Sequence, residues 1–447
     1  MKHDSWHLNT LKMSHKQADT NIHIGATAPL ATILSLGLFL ALTLSPSMSH
    51  ASKKHTLDEL VSIALNSNPE ILAARDQVKA VSGQLSAARA IPNPEFEGVR
   101  GQQRMRSDPT RPGSTSSWSV TQPLDMPYTR IPRVNAAEAK LRASEAERVA
   151  KEFELISKVK NRYYDHVRRQ EELKAAREDL ELTRQIRDRI ELRYQVGETA
   201  KFEFIRAETD YLNVKMIAQA SQSRVLQSKS ELRRAVGHQL PADFEIEAVK
   251  DIKPGMLPPL PALLDEVRNQ NPELQRARAE LESAESRLSF EKNSRLPRLS
   301  LKAQENKEPD FTDRSYGLVL TIPIWDWRLG QVREAAANVS RAKNMVNHES
   351  QSIETQIEMA YQAFQTITYQ VDILENQVVV QAKDARRIAE ASYRFGERGM
   401  LEYLDAQRTF RIIRADLIRA KHELAMITTE IERLRSNQQT LSKLIEK

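Results

Sequence analysis

Two spacings of apolar residues take turns along this chain, and the same succession occurs twice. Over 58–90 and again over 263–292, apolar positions recur about every 3.6 residues within Ala-, Glu- and Arg-rich stretches, which predicts helices. Both stop at proline, in Ile91-Pro92-Asn93-Pro94 and in Leu296-Pro297. The period then becomes two. Trp118, Val120 and Leu124 share one side of a strand whose other side carries Ser117, Ser119 and Thr121; Tyr316, Leu318, Leu320, Ile322 and Ile324 form the same kind of stripe in the second half. Their expected partners are 95–101 and 298–304, where Leu299, Leu301 and Ala303 alternate with Arg298, Ser300, Lys302 and Gln304. Polar connections are expected at 102–115 and 305–314. Over 133–195 and 331–394 there is neither proline nor glycine, so each can form one helix of about 62 residues, roughly 93 Å long. A seam of Ile353, Ile357, Tyr361, Phe364, Ile367, Val371, Leu374 and Val378 steps along the second at coiled-coil spacing. A helix that long cannot fold back on itself, and turns at Gly197 and Gly396 supply antiparallel partners. Between the halves, 241–261 holds five prolines and is expected to be an irregular link.

The succession is matched by residues as well as by period, at a spacing near 200 positions. Asn66-Ser67-Asn68-Pro69-Glu70-Ile71 answers Asn269-Gln270-Asn271-Pro272-Glu273-Leu274, and Val120-Thr121-Gln122-Pro123-Leu124 answers Leu320-Thr321-Ile322-Pro323-Ile324. The longest match runs from Tyr194-Gln195-Val196-Gly197-Glu198 through Phe202-Glu203-Phe204-Ile205-Arg206-Ala207. It answers Tyr393-Arg394-Phe395-Gly396-Glu397 and Leu401-Glu402-Tyr403-Leu404-Asp405-Ala406. The expected division is an N-terminal segment 1–51, a first repeat 52–250 with a strand pair at about 94–124, and a second repeat 251–447 with a strand pair at about 297–324.

Composition narrows the class. In 447 residues there are only 13 glycines and 6% aromatics against 28% charged residues, the mixture of long solvated helices. The 66 basic and 60 acidic residues are interleaved, so the net charge of +6 forms no basic face and a nucleic-acid partner is not expected. The absence of cysteine excludes disulfides, thiolate metal sites and lipid attachment through an N-terminal cysteine. Lys2, Lys12 and Lys16 precede a charge-free apolar run over 26–44, and Ser49-His50-Ala51 ends it with small residues where a signal peptidase reads; a secretory signal cleaved after Ala51 is expected, the alternative being an uncleaved anchor. No later run reaches ~18 apolar residues, so a mature chain entering a membrane does so as strands.

Candidate chemistry is sparse. His166, His238, His348 and His422 have no second histidine three or four residues away and read as solvated helix-face residues; no cofactor, metal ion or catalytic constellation is expected. Four short strands cannot close into a membrane barrel, whose smallest members have about eight, and open edges are not tolerated in lipid. Closure would need further copies, eight strands from a dimer or twelve from a trimer.

With its Asn-Pro-Glu segments at 68–70 and 271–273, strand ends Gln122-Pro123-Leu124 and Ile322-Pro323-Ile324, and turns around Gly197 and Gly396, the chain resembles the outer-membrane efflux protein family, TolC type, over essentially its whole mature length. Ile91-Pro92-Asn93-Pro94-Glu95 and Gln122-Pro123-Leu124 followed by Tyr128-Thr129-Arg130-Ile131-Pro132-Arg133 are most similar to the heavy-metal cation efflux branch. It lacks the lipidated cysteine of many members, so anchorage would rest on the strands. The resemblance implies a mainly helical homotrimer with a twelve-stranded β-barrel in the outer membrane, where Trp118, Val120, Leu318, Leu320 and Ile322 face lipid. It also implies a periplasmic α-barrel coupled through an adaptor protein to an inner-membrane pump. By the same resemblance the turns at Gly197 and Gly396 meet the adaptor, Glu402 and Asp405 form the pore constriction, and Tyr393 and Arg398 tie the tip shut against Glu203. The competing expectation is a soluble periplasmic coiled-coil scaffold or adaptor in which the strands form a small packed sheet.

Overall fold

Both Asn-Pro-Glu segments turn one helix into the next. Asn68 and Asn271 each end a helix with an extended backbone and cap the following one, their side-chain oxygens accepting from the backbone N–H of Glu70 at 2.8 Å and of Glu273 at 3.0 Å. The proline comes first in the new helix, where its missing N–H leaves nothing unpaired, and the glutamate lies at the positive end of the helix dipole. A computed structural model describes residues 54–104, 112–247 and 257–436, and the expected secretory signal and its cleavage site lie outside them.

The first half contains β1 (Lys54–His55), α1 (Leu57–Ser67), α2 (Pro69–Arg89), β2 (Glu95–Arg104), β3 (Pro112–Pro123), α3 (Pro127–Gln195), α4 (Lys201–Val236) and β4 (Glu245–Ile246). The second contains α5 (Leu260–Gln270), α6 (Pro272–Asn293), β5 (Arg298–Lys307), β6 (Thr312–Thr321), α7 (Leu329–Ile373), a π-helical turn Leu374–Val378, α8 (Val379–Arg394) and α9 (Met400–Arg435). The fold is therefore mostly helical with a small β part.

Each half has a core where its short helix meets its hairpin. Leu60, Val61, Leu65 and Ile71 pack with Phe153, Ile156, Val159, Leu232 and Val236; Leu263, Val267 and Leu274 pack with Ile353, Ile357, Phe364, Leu424 and Ile431. The seam predicted for the second long helix is the buried stripe at Ile353, Ile357, Phe364, Ile367 and Val371, while Tyr361 and Leu374 pack half-buried against it. Polar contacts bind the halves side by side. Arg414 on α9 reaches Asp179 of α3 at 2.7 Å and Glu178 at 2.9 Å, Arg411 reaches Asp210 of α4 at 3.0 Å, and Lys160 of α3 meets Glu432 at 2.5 Å.

The strands form one antiparallel sheet in the order β2-β3-β5-β6, with β3 of the first half paired to β5 of the second. Phe96, Val120, Ala303 and Tyr316 lie across from one another, as do Glu97, Ser119, Gln304 and Ser315 on the opposite face. Among the described strands, β2 and β6 remain as unpaired edges.

Four local expectations change. The strands run further into the expected connections, since ladder hydrogen bonds need only backbone: β2 reaches Arg104 and β3 starts at Pro112, β5 reaches Lys307 and β6 starts at Thr312. Ile322 lies one residue past β6. The link between the halves is not wholly irregular, because β4 pairs in parallel with β1 and Phe244 is buried in the first core.

Finally, α3 starts at Pro127 and carries Pro132 inside it. A proline there leaves the carbonyl four residues back without its helical donor, and Asn293 Nδ2 fills that place at 2.7 Å from the Tyr128 oxygen. Arg130 and Arg133 hold the buried Asp125 at 2.8 and 2.7 Å, and they also donate to the Arg89 and Ala88 carbonyls that end α2. Tyr128 donates to the Pro297 carbonyl at 2.5 Å. The motif Tyr128-Thr129-Arg130-Ile131-Pro132-Arg133 thus builds the joint between sheet and helices.

Candidate functional site

The two helical turns are closed by the same pair of backbone bonds. At the end of α3, Gly197 N–H donates to the Tyr194 carbonyl at 3.1 Å and Glu198 N–H to that of Arg193 at 2.8 Å. At the end of α8, Gly396 N–H donates to Tyr393 at 3.2 Å and Glu397 N–H to Ser392 at 2.9 Å. This is the Schellman closure, which needs a left-handed residue, and Gly197 and Gly396 take φ of 80° and 75°. Just beyond, Thr199 donates to Glu203, and at the equivalent positions Arg398 Nη1 donates to Glu402 Oε2 at 2.8 Å.

Aromatic stacks close both hairpins. Tyr194 lies on Phe204 with centroids 5.6 Å apart, and Tyr393 on Tyr403 at 5.7 Å. The tips also share a core of Ile186, Ile190, Ala207, Met400, Tyr403 and Leu404, and the Arg193 guanidinium sits over the Tyr393 ring at 5.6 Å. Burial raises the Tyr403 pKa, and its hydroxyl accepts from Gln407 Nε2 at 3.2 Å. Neither Arg193 nor Tyr403 stands out in the sequence by itself, although Tyr403 aligns with Phe204 across the repeat.

Glu402 and Asp405 are exposed on α9, on the side away from the buried Tyr403, Leu404 and Gln407. Threonine replaces Arg398 in the first hairpin and Arg206 replaces Asp405, so the second tip alone presents this pair of carboxylates. Within one chain Arg398 and Glu203 do not meet: each bonds inside its own hairpin, to Glu402 and Thr199 respectively. Tyr393 engages Tyr403 and Arg193.

The sheet has two unlike faces. Trp118, Val120, Leu318 and Leu320 share one face with Phe96, Leu299, Leu301, Ala303 and Tyr316. Glu95, Glu97, Ser119, Thr121, Lys302, Gln304 and Ser315 share the other. On the apolar face Tyr316 is 85% exposed and Leu318 66%, so no described residue covers that part of it. Past the helix-proximal end of β6, Trp325 and Trp327 are exposed as well. Among the described helices none is long and apolar enough to cross a membrane.

The histidines divide. His348 is exposed on its helix as expected, His238 is exposed but in the turn after α4, and His422 is half-buried on α9; His166 is buried between α3 and α4, with Nδ1 2.8 Å from Ser228 Oγ and Nε2 3.2 Å from Gln170 Nε2. Burial, aided by Lys229, pulls its pKa down to about 4. The expectation of a solvated histidine fails here because position 166 lies on the face of α3 that packs against α4.

A family model described as "Outer membrane efflux protein" matches residues 60–238 and 263–435. The chain is 24% identical over 383 residues to the cobalt-zinc-cadmium resistance protein CzcC of Cupriavidus metallidurans, covering 85% of this chain and 89% of that protein. Its identity to outer membrane protein TolC of Vibrio cholerae is 21% over 421 residues, covering 89% and 94%. Among solved structures, that of CusC superposes with a TM-score of 0.75 at 16% identity, covering 86% of this chain and 92% of that one. The Campylobacter jejuni CmeC outer membrane channel gives 0.74 at 18%, covering 87% and 89%.

Proposed function

Since the chain belongs to the outer membrane efflux protein family, a family of passive channels and not enzymes, we propose that three copies close their sheets into one twelve-stranded barrel and their hairpins into a periplasmic tunnel. The observation that carries this is the sheet: one face apolar and uncovered, the other polar, and both edges open. In lipid such a sheet survives only if its edges pair with other copies. Trp118, Val120, Leu318, Leu320 and Ile322 then face lipid. Exposed Trp118, Tyr316 and Phe96 toward one end, and Trp325 and Trp327 at the other, suit the two membrane interfaces.

The matching halves, 52–250 and 251–447, are read as duplicated units that give the tunnel wall quasi-equivalent hairpins. A periplasmic adaptor protein docks at the turns around Gly197 and Gly396, where the preceding Val196 and Phe395 are 63% and 82% exposed, and links the duct to an inner-membrane pump. The similarity to CzcC supports heavy-metal cations as the cargo. Glu402 and Asp405, repeated by threefold symmetry, form the acidic constriction and favour cations. Tyr393 and Arg398 hold the tip closed against Glu203 of a neighbouring hairpin.

In this chain Arg398 already screens Glu402, which separates two tests. Arg398→Ala with Tyr393→Phe raises single-channel conductance in planar bilayers and increases cation preference, because a carboxylate is unmasked. Glu402→Gln with Asp405→Asn lowers cation preference and weakens block by multivalent cations. Unchanged conductance in the first pair together with unchanged selectivity in the second removes the gate from these turns. A stable detergent-solubilised monomer removes the channel altogether.

A further inference from the structure

The apolar face of the sheet changes character toward its hairpin ends. From the tier of Phe96, Val120, Ala303 and Tyr316, the same face continues toward the helices as Leu301 and Leu318, then Leu299 and Leu320. In the other direction the next tier is Gly98, Trp118, Glu305 and Arg314, followed by Arg100, Ser116, Lys307 and Thr312, with Arg104 at the end of β2. On this face a band of four cations thus stands against one carboxylate, Arg314 and then Arg100 and Lys307 directly above the apolar tiers and Arg104 two tiers further out, toward the hairpin end.

Glu305 gathers part of that band. Arg314 Nε donates to its Oε2 at 2.7 Å, Lys307 Nζ lies 3.6 Å from Oε1, and Trp118 Nε1 donates to Oε1 at 3.3 Å. Even so, the Arg314 and Lys307 side chains stay 70% and 61% exposed. Arg100 and Arg104 are exposed and have no ion-pair partner among the described residues. Hydrocarbon does not accommodate such a band, whereas the headgroup layer of an anionic leaflet does.

We propose that Arg100, Arg104, Lys307 and Arg314 form a collar that binds the phosphates of the phosphorylated glycolipid of the outer leaflet. The inference rests on the reading of the sheet as a barrel wall. The hairpin ends of both strand pairs lie opposite the strand ends that lead to the helices, so helices in the periplasm put the collar in the outer leaflet. Arginine suits this ligand because its planar guanidinium can give two parallel bonds to one phosphate. Trp118 sits at the boundary between headgroup and chain, its indole N–H turned to the polar side.

The test uses full-length trimer purified in mild detergent, stripped of lipid, and titrated by native mass spectrometry with a bisphosphorylated diglucosamine glycolipid and with the same glycolipid after phosphate removal. The wild type binds the phosphorylated form more tightly. Arg100→Gln with Lys307→Gln weakens that binding by about fivefold per cation removed. The charge-conserving pair Arg100→Lys with Lys307→Arg keeps most of it, which separates loss of charge from loss of fold. Equal binding of the two glycolipids, or unchanged binding by the charge-removing variant, overturns the collar. Either result obtained on an intact, detergent-requiring trimer leaves the barrel standing, whereas a protein freely soluble without detergent overturns the barrel itself.

Discussion

His166 shows how much one neighbourhood can change a residue's behaviour. Its ring fills space between α3 and α4 and must stay neutral to do so, with a pKa pulled down to about 4. The unfolded chain takes up this proton near the ordinary histidine value of 6.5, so from there down to about 4 it binds a proton that the folded chain refuses. Stability therefore falls as the pH drops through that window, by up to roughly 3 kcal/mol per chain. His166→Gln should flatten the dependence of the thermal midpoint on pH between 6.5 and 4. Identical slopes for variant and wild type would assign that dependence to other groups. The turn glycines were legible beforehand because their role depends on adjacent backbone, whereas the capping by Asn68 and Asn271 emerged from the structure. His166 was not legible, since its environment comes from a helix more than 50 positions away.

At the scale of elements, the joint where α3 begins is the informative case. Pro132 removes one helical donor, and Asn293 of α6 supplies another from the opposite half of the chain. Asn293→Ala leaves the Tyr128 carbonyl without that donor and should cost about 1–3 kcal/mol. Adding Pro132→Ala restores a backbone N–H to the same carbonyl, so the double variant should recover part of the loss. A double-mutant cycle in chemical denaturation checks this, and strict additivity of the two changes would refute the substitution of one donor for the other. The second long helix has its own departure from regularity, a π-helical turn at Leu374–Val378 that its seam of apolar residues did not forecast. Periodicity reports which face is buried; it does not register one residue wound more widely within a turn.

For the molecule as a whole, the decisive feature is a sheet whose strands pair across the two halves and still leave two edges open. If three such sheets close in the outer membrane, Leu320→Arg places a cation on the lipid side at a cost of about 2 to 4 kcal/mol near the bilayer midplane. Membrane-inserted trimer recovered from cells should drop accordingly, and wild-type yield would argue for a sheet that lies outside lipid. The alternation of Trp118, Val120, Leu318 and Leu320 is legible in the sequence as strands with one greasy side, because a period of two forces successive side chains onto opposite faces. The helices were equally plain from their spacing, and the turns from their glycines. These features belong to neighbouring residues, and the chain specifies them locally. The pairing of β3 with β5, the clasp of Arg414 on Asp179 and the stacking of the two tips on one small core join positions far apart in the chain. No short stretch encodes them: each arises where many weak contacts outweigh the entropy of bringing distant segments together, and that sum exists only in the folded chain.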